Sequence, residues 1–509
     1  MSTDNMAERG APLVLAIDAG TSSVRALVYD ATGRSIHASE VQLEYVLDTE
    51  ASGAATYSAI ALFDLTVDVL DALTSQVGVL AGNIVAVGVT SFWHSLLGLD
   101  RFGEPTTPIF YWADTRAAGE VRALRAQIDG AAVWQRTGCR LHSSYWPGKL
   151  RWLHANEPDT VRRTTRWVSF PEYALGRLCT AEAAAVTYCM ASGTGLLDVH
   201  NLNWDEEMLA ISGVSKDHLS PLVDLGPPGR LRPEFARRWP ALESSQWYPA
   251  LGDGACANVG SGAVGPQSMA LTVGTSAAMR IILTRPPGTA WTVPPGLWAY
   301  RLDRSRAVLG GALSNGGNLL RWVLEIIGTE RDGNEMDLAM ALSPDSTGLT
   351  FLPFLAGERS PGWHDDATGV IAGLTLGTER TDLIRAALEA IPYRLAGVYE
   401  ALAPLAETEH QILVSGGAIL ALPGWLQITA DVLGRPLTAL SPQDESTARG
   451  AALVAAVSAG LLADLESARD PTAGATVYLP NLANFDLYNA GRSRQLRLEE
   501  ILANTGEFV

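Results

Sequence analysis

The chain has 509 residues, 47% hydrophobic and 18% charged, an ordinary globular composition that predicts two or three domains. Lys and Arg number 37 against 55 Asp and Glu; the formal net charge of −18 repels a phosphate backbone and argues against nucleic acid as a partner. Cys139, Cys179, Cys189 and Cys256 are scattered without metal spacing, the opening residues are polar, and the charge-free run at 450–462 is too short to span a bilayer. These features predict a cytoplasmic protein with no membrane partner.

The runs "LVLAID", "VRALVYD" and "SIHASEVQL" predict three antiparallel strands, divided by the turns "AGTSS" and "ATGR". "AIALFDLTVDVLDALTSQV" predicts a helix, and "NIVAVGVTS" at 83–91 a buried strand, so the class is α/β. The first turn offers backbone N–H groups and the hydroxyls of Thr21, Ser22 and Ser23, which can approach phosphate oxygens closely. Asp18 ends the strand before it and could hold Mg²⁺ through water, with Arg25 as a nearby positive charge. A plain hairpin with a polar tip is the competing reading.

"FWHSLLGLD", 92–100, and "YWADTRA", 111–117, put His94, Trp112, Asp114 and Arg116 at strand ends. Asp and Arg can bracket a polyol, and Trp can stack on its carbons. The alternatives are a packed structural His and an Asp-x-Arg ion pair. The stretch 224–245, rich in Pro, Gly and charge, marks a boundary between halves. After it, "GDGACA" at 252–257 matches a dinucleotide fingerprint in form, but no acid follows between Asp253 and Asp303 to hold a ribose. No Walker sequence is present.

"QSMALTVGTSAAMRIIL" repeats the opening hairpin: Gly274, Thr275 and Ser276 match Gly20, Thr21 and Ser22, while Thr272 stands where Asp18 stood. Two halves of similar topology are expected, with a metal carboxylate only in the first. "GGALSNGGNLLRWVLE", 310–325, offers Gly311, Asn315 and Asn318. "ILVSGGAILALPGWLQITADVLGRPL", 412–437, predicts a strand, a Gly-Gly turn and a helix whose start favours phosphate, at Gly416, Gly417 and Ala418. "HDD" at 364–366 reads as a loop rather than a metal site, and the pattern assigns nothing from residue 463 on.

Together these segments resemble the FGGY family of carbohydrate kinases over most of the chain. "GVIAGLTLGTERTDLIRAALE", 369–389, fits that family's C-terminal signature; "IDAGTSSVRA" and "TVGTS" resemble its phosphate motifs, and "YWADTR" its substrate segment. The resemblance implies α/β, two ribonuclease-H-like (actin-like ATPase) domains around a central cleft. Residues 11–248 would carry the sugar site and first phosphate motif, 249–462 the nucleotide site and catalytic base, and 463–509 a tail. It implies ATP and Mg²⁺, a small-molecule sugar or sugar acid as partner, and a homodimer as the candidate assembly. Asp253 is implied as general base, taking the proton of the hydroxyl that attacks the γ-phosphorus, with its flanking glycines giving substrate room. Thr21, Ser22, Ser23, Arg25, Gly274, Thr275, Gly311, Asn315, Gly416, Gly417 and Ala418 are implied on nucleotide and phosphate, Asp18 on Mg²⁺, and His94, Trp112, Asp114 and Arg116 on the sugar.

Within that family the chain looks more like gluconate kinases than xylulokinases. D-gluconate to 6-phosphogluconate is the expected reaction, and a pentulose or other polyol (xylulose, ribulose, erythritol) the alternative. Arg116, Lys149 and Arg25 are the candidates for the gluconate carboxylate. The chain departs from the family pattern at Glu172-Tyr173, where many members have Asp-Tyr, at "AEAAAVTYCMAS", 181–192, where they carry an Asp then small residues, and at "ASGAATY", 51–57, which lacks an acidic segment; these loops are expected to border the sugar site. A rival class is an actin-like ATP-binding protein that works by conformational change; a degenerate kinase acting as a sugar sensor is a third. The substrate segment argues against the first rival and the paired presence of Asp18 and Asp253 against the second.

Overall fold

The computed structural model describes residues 10–331, 333–364, 367–441 and 445–505. Strands β1 (Leu13–Ala19), β2 (Ser23–Asp30) and β3 (Ser35–Glu44) form the expected antiparallel meander. Six of the seven residues of β1 are buried, because helices cover both faces of the sheet; the half-buried exception is Asp18. Helix α1 (Ala59–Val77) opens on Ser58, whose Oγ accepts from the Ala61 N–H at 3.3 Å. It packs on β2 and β3. The chain then returns as β4 (Ile84–Ser91), parallel to β1.

Two short strands, β5 (Gln246–Trp247) and β6 (Leu251–Gly252), also pair with β4 in parallel. They lie on either side of the expected division at 248/249, and both belong to the first sheet. Helix α2 (Asp253–Gly260) follows, and the second sheet begins at Ser268.

That sheet opens with the hairpin β7 (Ser268–Val273) and β8 (Ala277–Thr284), then β9 (Trp298–Arg301) and β10 (Arg306–Leu313). Helix α3 (Gly317–Ile327) and helix α4 (Arg380–Leu402) follow, with the Glu379 N–H donating to Asp382 at the start of α4. Then come β11 (Gln411–Ser415), α5 (Pro423–Leu433), β12 (Leu437–Ala439), α6 (Ser446–Ser458), β13 (Thr476–Tyr478) and α7 (Leu482–Thr505).

The strand orders are β5-β4-β1-β2-β3, with β6 also on β4, and β9-β10-β8-β7-β11-β12-β13. In both sheets the hairpin's first strand pairs in parallel with a strand from much later in the chain. The repeated topology read from the two hairpins is therefore present. Asp18 lies across from Arg25 and Thr90, and its counterpart Thr272 across from Ala278 and Ser415.

Helix α6, although late in sequence, packs on α2, β4 and β1 of the first half. Gly260 and Gly450 permit this approach: a Cβ on Gly260 would stand 1.7 Å from the Ser446 carbonyl, and one on Gly450 1.9 Å from that of Cys256. Buried Arg449 ties the same contact, donating to the carbonyls of Gly33 (2.9 Å) and Gly260. The stretch from 463, which the sequence left unassigned, supplies β13 at the edge of the second sheet and α7 against α4 and α5.

Candidate active site

Asp253 is the first residue of α2, where a carboxylate is favoured by the helix dipole; its Oδ1 accepts from the Gly254 N–H at 2.7 Å. The indole of Trp93 packs over both flanking glycines, so that a Cβ on Gly252 would stand 2.0 Å from the ring and one on Gly254 2.5 Å. The ring is fixed by a 3.0 Å hydrogen bond from Nε1 to the Cys189 carbonyl. The glycines thus make room for the tryptophan, a contact the sequence did not predict, and Gly254 also borders the cavity onto which Asp253 opens. Burial raises the Asp253 carboxyl above the usual Asp range; Arg280 opposes that shift, helped by the N–H groups of Gly254 and Trp93.

Asp253 opens onto a cavity of about 160 Å³ whose walls include Thr21, His94, Trp112, Ser276, Arg280 and Arg359. His94 has φ +69°, and its Nδ1 lies 2.5 Å from the Gly193 carbonyl. A carbonyl only accepts, so Nδ1 carries the proton and Nε2 keeps a lone pair. Burial pushes the His94 pKa down to about 3, so the ring is neutral.

Arg280 on β8 is buried, with no partner for its Nη1, and burial brings it down only to about 10, so it stays charged. The Arg359 guanidinium lies 4.8 Å from the Trp112 ring centroid; Nη2 donates to the Leu313 carbonyl at 3.0 Å and Nε has no partner. Among the described residues the cavity therefore holds one carboxylate and two guanidiniums. Both arginines escaped the reading of the sequence. The signal for Arg280 was a lone charge inside the apolar run "AAMRIILT", a position that needs a partner or a ligand.

A second hollow of about 510 Å³ is lined by Gly274, Thr275, Gly317, Asn318, Gly417 and Ala418, among others. The β7–β8 turn separates the two spaces: Gly274 and Thr275 border the groove, and Ser276 borders the cavity. Each hairpin turn is closed by its glycine N–H, Gly20 to the carbonyl of Ser23 three residues on and Gly274 to that of Ser276 two residues on, each at 2.9 Å. A phosphate chain lying in the groove would end at this turn beside Asp253.

Asn315 is buried behind the groove, donating to the Pro353 carbonyl at 2.5 Å and accepting from Asn318 at 3.0 Å, which braces the start of α3. Gly416 precedes Gly417 with φ +103°. Gly311 is not at the groove: it sits inside β10, where a Cβ would stand 2.6 Å from Val398. Of the remaining turn residues, Ser22 accepts the Tyr45 N–H through its carbonyl, and Ser23 begins β2.

Asp18 keeps one buried oxygen, Oδ1, without any hydrogen-bond partner. Burial raises its pKa well above the usual range, with the charges of Glu445 and Asp253 adding and Arg25 opposing. An orphaned carboxylate oxygen under the influence of the acids Glu445 and Asp253, at the end of the strand that leads into the 20–23 turn, fits a divalent cation. Arg25 itself is engaged by Glu40 and Glu445, both at 3.4 Å, and by Gln42 at 2.8 Å.

Asp114 and Arg116 close on each other. Arg116 Nη2 donates to Asp114 at 2.7 Å, the Ala55 N–H donates to the same carboxylate at 3.1 Å, and the guanidinium lies 4.7 Å from the Phe110 ring and 4.5 Å from that of Trp152. Neither residue lines the cavity. Lys149, buried and brought down to about 7, donates to the His94 carbonyl at 2.9 Å. The three carboxylate candidates are thus committed elsewhere, and the cavity's cations are Arg280 and Arg359.

Two of the three departures from the family pattern, at Glu172 and at 51–57, lie away from the cavity, while the third, 181–192, holds the Trp93 ring of the cavity wall through the Cys189 carbonyl. Glu172 accepts from the Ser169 N–H (2.7 Å) and hydroxyl (2.6 Å) at a helix start, and the 51–57 segment braces Asp114 through Ala55. Asp365 and Asp366 of "HDD" lie outside the described residues.

The sequence matches the two domain models of the FGGY family of carbohydrate kinases, the N-terminal one over residues 13–260 and the C-terminal one over 269–459. It is 28% identical to a gluconokinase of Bacillus subtilis over 473 residues, which covers 90% of each chain. Among solved structures it resembles a gluconate kinase and a ligand-bound xylulose kinase, both from Lactobacillus acidophilus. Each gives a TM-score of 0.88 at 26% identity, covering 98% of this chain and 100% of the other.

Proposed function

The chain belongs to the FGGY family of carbohydrate kinases and is a sugar kinase with the two-domain, actin-like α/β fold of that family, and from that premise we propose that it phosphorylates a sugar acid, D-gluconate, at the expense of ATP. The observation that carries this reading is Arg359, a guanidinium in the cavity wall with an unpartnered Nε. Arg280 is the cation that acts most strongly on Asp253, and Arg359 acts on it more weakly. Arg280 then keeps the base ionised, and Arg359 is left to meet a substrate carboxylate. A neutral polyol leaves that cation without a counter-charge.

The hydroxyl to be phosphorylated lies against Asp253, which takes its proton as the oxygen attacks the γ-phosphorus; the phosphorus–oxygen bond to ADP breaks. The turns at 20–23 and 274–276 hold phosphate oxygens through backbone N–H groups, and His94 Nε2 accepts from a substrate hydroxyl. Mg²⁺ held through Asp18 would neutralise charge on the phosphates. Most of the rate gain comes from holding acceptor and phosphate in line.

The gluconokinase and gluconate kinase names of similar proteins support the sugar-acid reading, and four free, buried cysteines suit a reaction in the cytosol. No described helix is long and apolar enough to cross a membrane. ADP release from ATP should be stimulated by D-gluconate above xylulose, ribulose, erythritol or glycerol. Stronger stimulation by a neutral acceptor would make the protein a polyol kinase instead.

A further inference from the structure

We infer that Glu499, on the C-terminal helix α7, is a positioning residue for the substrate cavity, acting through Arg394 and Glu358 on Arg359. Glu358, Arg394 and Glu499 are all buried, on three separate parts of the chain: the loop after residue 352, α4 and α7. The Arg394 guanidinium bridges the two carboxylates, donating to Glu358 Oε1 and to both oxygens of Glu499 (Nη2 to Oε1 at 3.0 Å). Its other contact is the Phe354 ring, 5.1 Å away.

Glu358 and Arg359 are adjacent. Glu358 turns to the Arg394 bridge, while Arg359 turns to the cavity. The loop is fixed further by the Gly362 N–H on Glu358 Oε1 (3.1 Å), the Glu358 N–H on the His364 carbonyl (2.9 Å) and the Ser360 N–H on the Ala312 carbonyl (3.0 Å). Those contacts come from the loop and from β10. Helix α7 also touches the strand and loop before Glu358, through Gln495 Nε2 on the Phe351 carbonyl (2.8 Å) and through Leu498 and Leu502 against Leu352, Phe354 and Ala367, while the Arg394 bridge links its Glu499 to Glu358 itself.

Ligating atoms of Glu358, His364 and Glu499 lie within 4.8 Å of one another, as in a metal cluster. The guanidinium already stands between the two carboxylates and supplies the positive charge a cation would bring. The cluster is therefore a clamp rather than a metal site. Without the charge on Glu499, Arg394 keeps a single carboxylate partner, and the Glu358–Arg359 backbone loses the hold that sets the Arg359 rotamer.

The inference rests on the reading that Arg359 meets the acceptor, and the two fail differently. If the acceptor reading is wrong, the wild-type enzyme prefers a neutral sugar; the clamp is still read on whichever acceptor it prefers, since Arg359 lines the cavity in either case. The test is Glu499→Gln, scored by KM for acceptor, KM for ATP, and melting temperature. A misplaced positioning group raises acceptor KM about tenfold or more with ATP KM nearly unchanged, even though loss of one carboxylate from the buried Arg394 bridge lowers the melting temperature. Glu499→Asp should recover part of the loss, and Glu358→Gln, which reads the same bridge from its other end, should give the same split. Unchanged acceptor KM overturns the inference, and so does a rise in both KM values together with a fall in melting temperature.

Discussion

The Trp93 indole lies where a side chain on Gly252 would stand, 2.0 Å from the position of its Cβ. Base and tryptophan are thus packed as one unit, and Gly252→Ala must displace one of them. Overpacking of this kind costs about 1–3 kcal/mol. We expect Gly252→Ala to lower the melting temperature and to cut kcat at least as far as that loss of packing implies. Thermal melting and steady-state kinetics on the same preparation measure both.

Asp253 is held ionised at a cost, because burial raises its pKa and Arg280 only partly opposes the shift. A raised carboxyl means the folded state binds this proton more readily than the unfolded chain. Its ionisation therefore subtracts stability as pH climbs past the unfolded value. Asp253→Asn removes that penalty together with the proposed base. Turnover should fall by roughly 10²–10⁴-fold, while the melting temperature at pH 7 stays level or rises. In the wild type, the acid limb of kcat/KM should lie above the ordinary Asp value of about 3.9.

Arg116 gives the opposite pattern. Its guanidinium is spent on Asp114, which is 1% exposed, and on two aromatic rings. Arg116→Ala leaves a buried carboxylate short of its partner, a change that costs about 3–5 kcal/mol in comparable pairs. Denaturant unfolding should show that loss. The acceptor KM of the remaining folded enzyme should stay near wild type.

Asp18→Asn should keep the fold and weaken the response to Mg²⁺. The orphaned Oδ1 is the observation behind this, and the amide removes its charge without changing its shape. A Mg²⁺ titration of ADP release, run beside nucleotide binding without the metal, separates the two effects. Equal Mg²⁺ dependence in both proteins would remove Asp18 from the metal site.

The strands and the hairpin repeat were legible in the sequence because each is local, a period or a turn, and the motif around Asp253, whose role as base is proposed, is local too. Asp18 was legible for the same reason, as the residue that breaks the repeat. What the sequence hid was long-range. Trp93 covers glycines about 160 positions later, and Asp-x-Arg closes on itself instead of facing a sugar. Arg280 and Arg359 meet Trp112 and His94 only once the two halves are folded together. Glu499 lay in a stretch with no strong period, and the role proposed for it runs through Arg394 and Glu358.

In the proposed reading, Arg359 selects a sugar acid over a neutral sugar. The direct test is kcat/KM for D-gluconate and for xylulose, in the wild type and in Arg359→Gln. Loss of a charge-assisted contact of about 1.5–3 kcal/mol predicts a fall of about ten- to hundredfold for gluconate. The wild type should prefer gluconate, and the variant should lose that preference while its xylulose activity changes little. A wild type that prefers xylulose, or a variant that loses both acceptors equally, would contradict the claim.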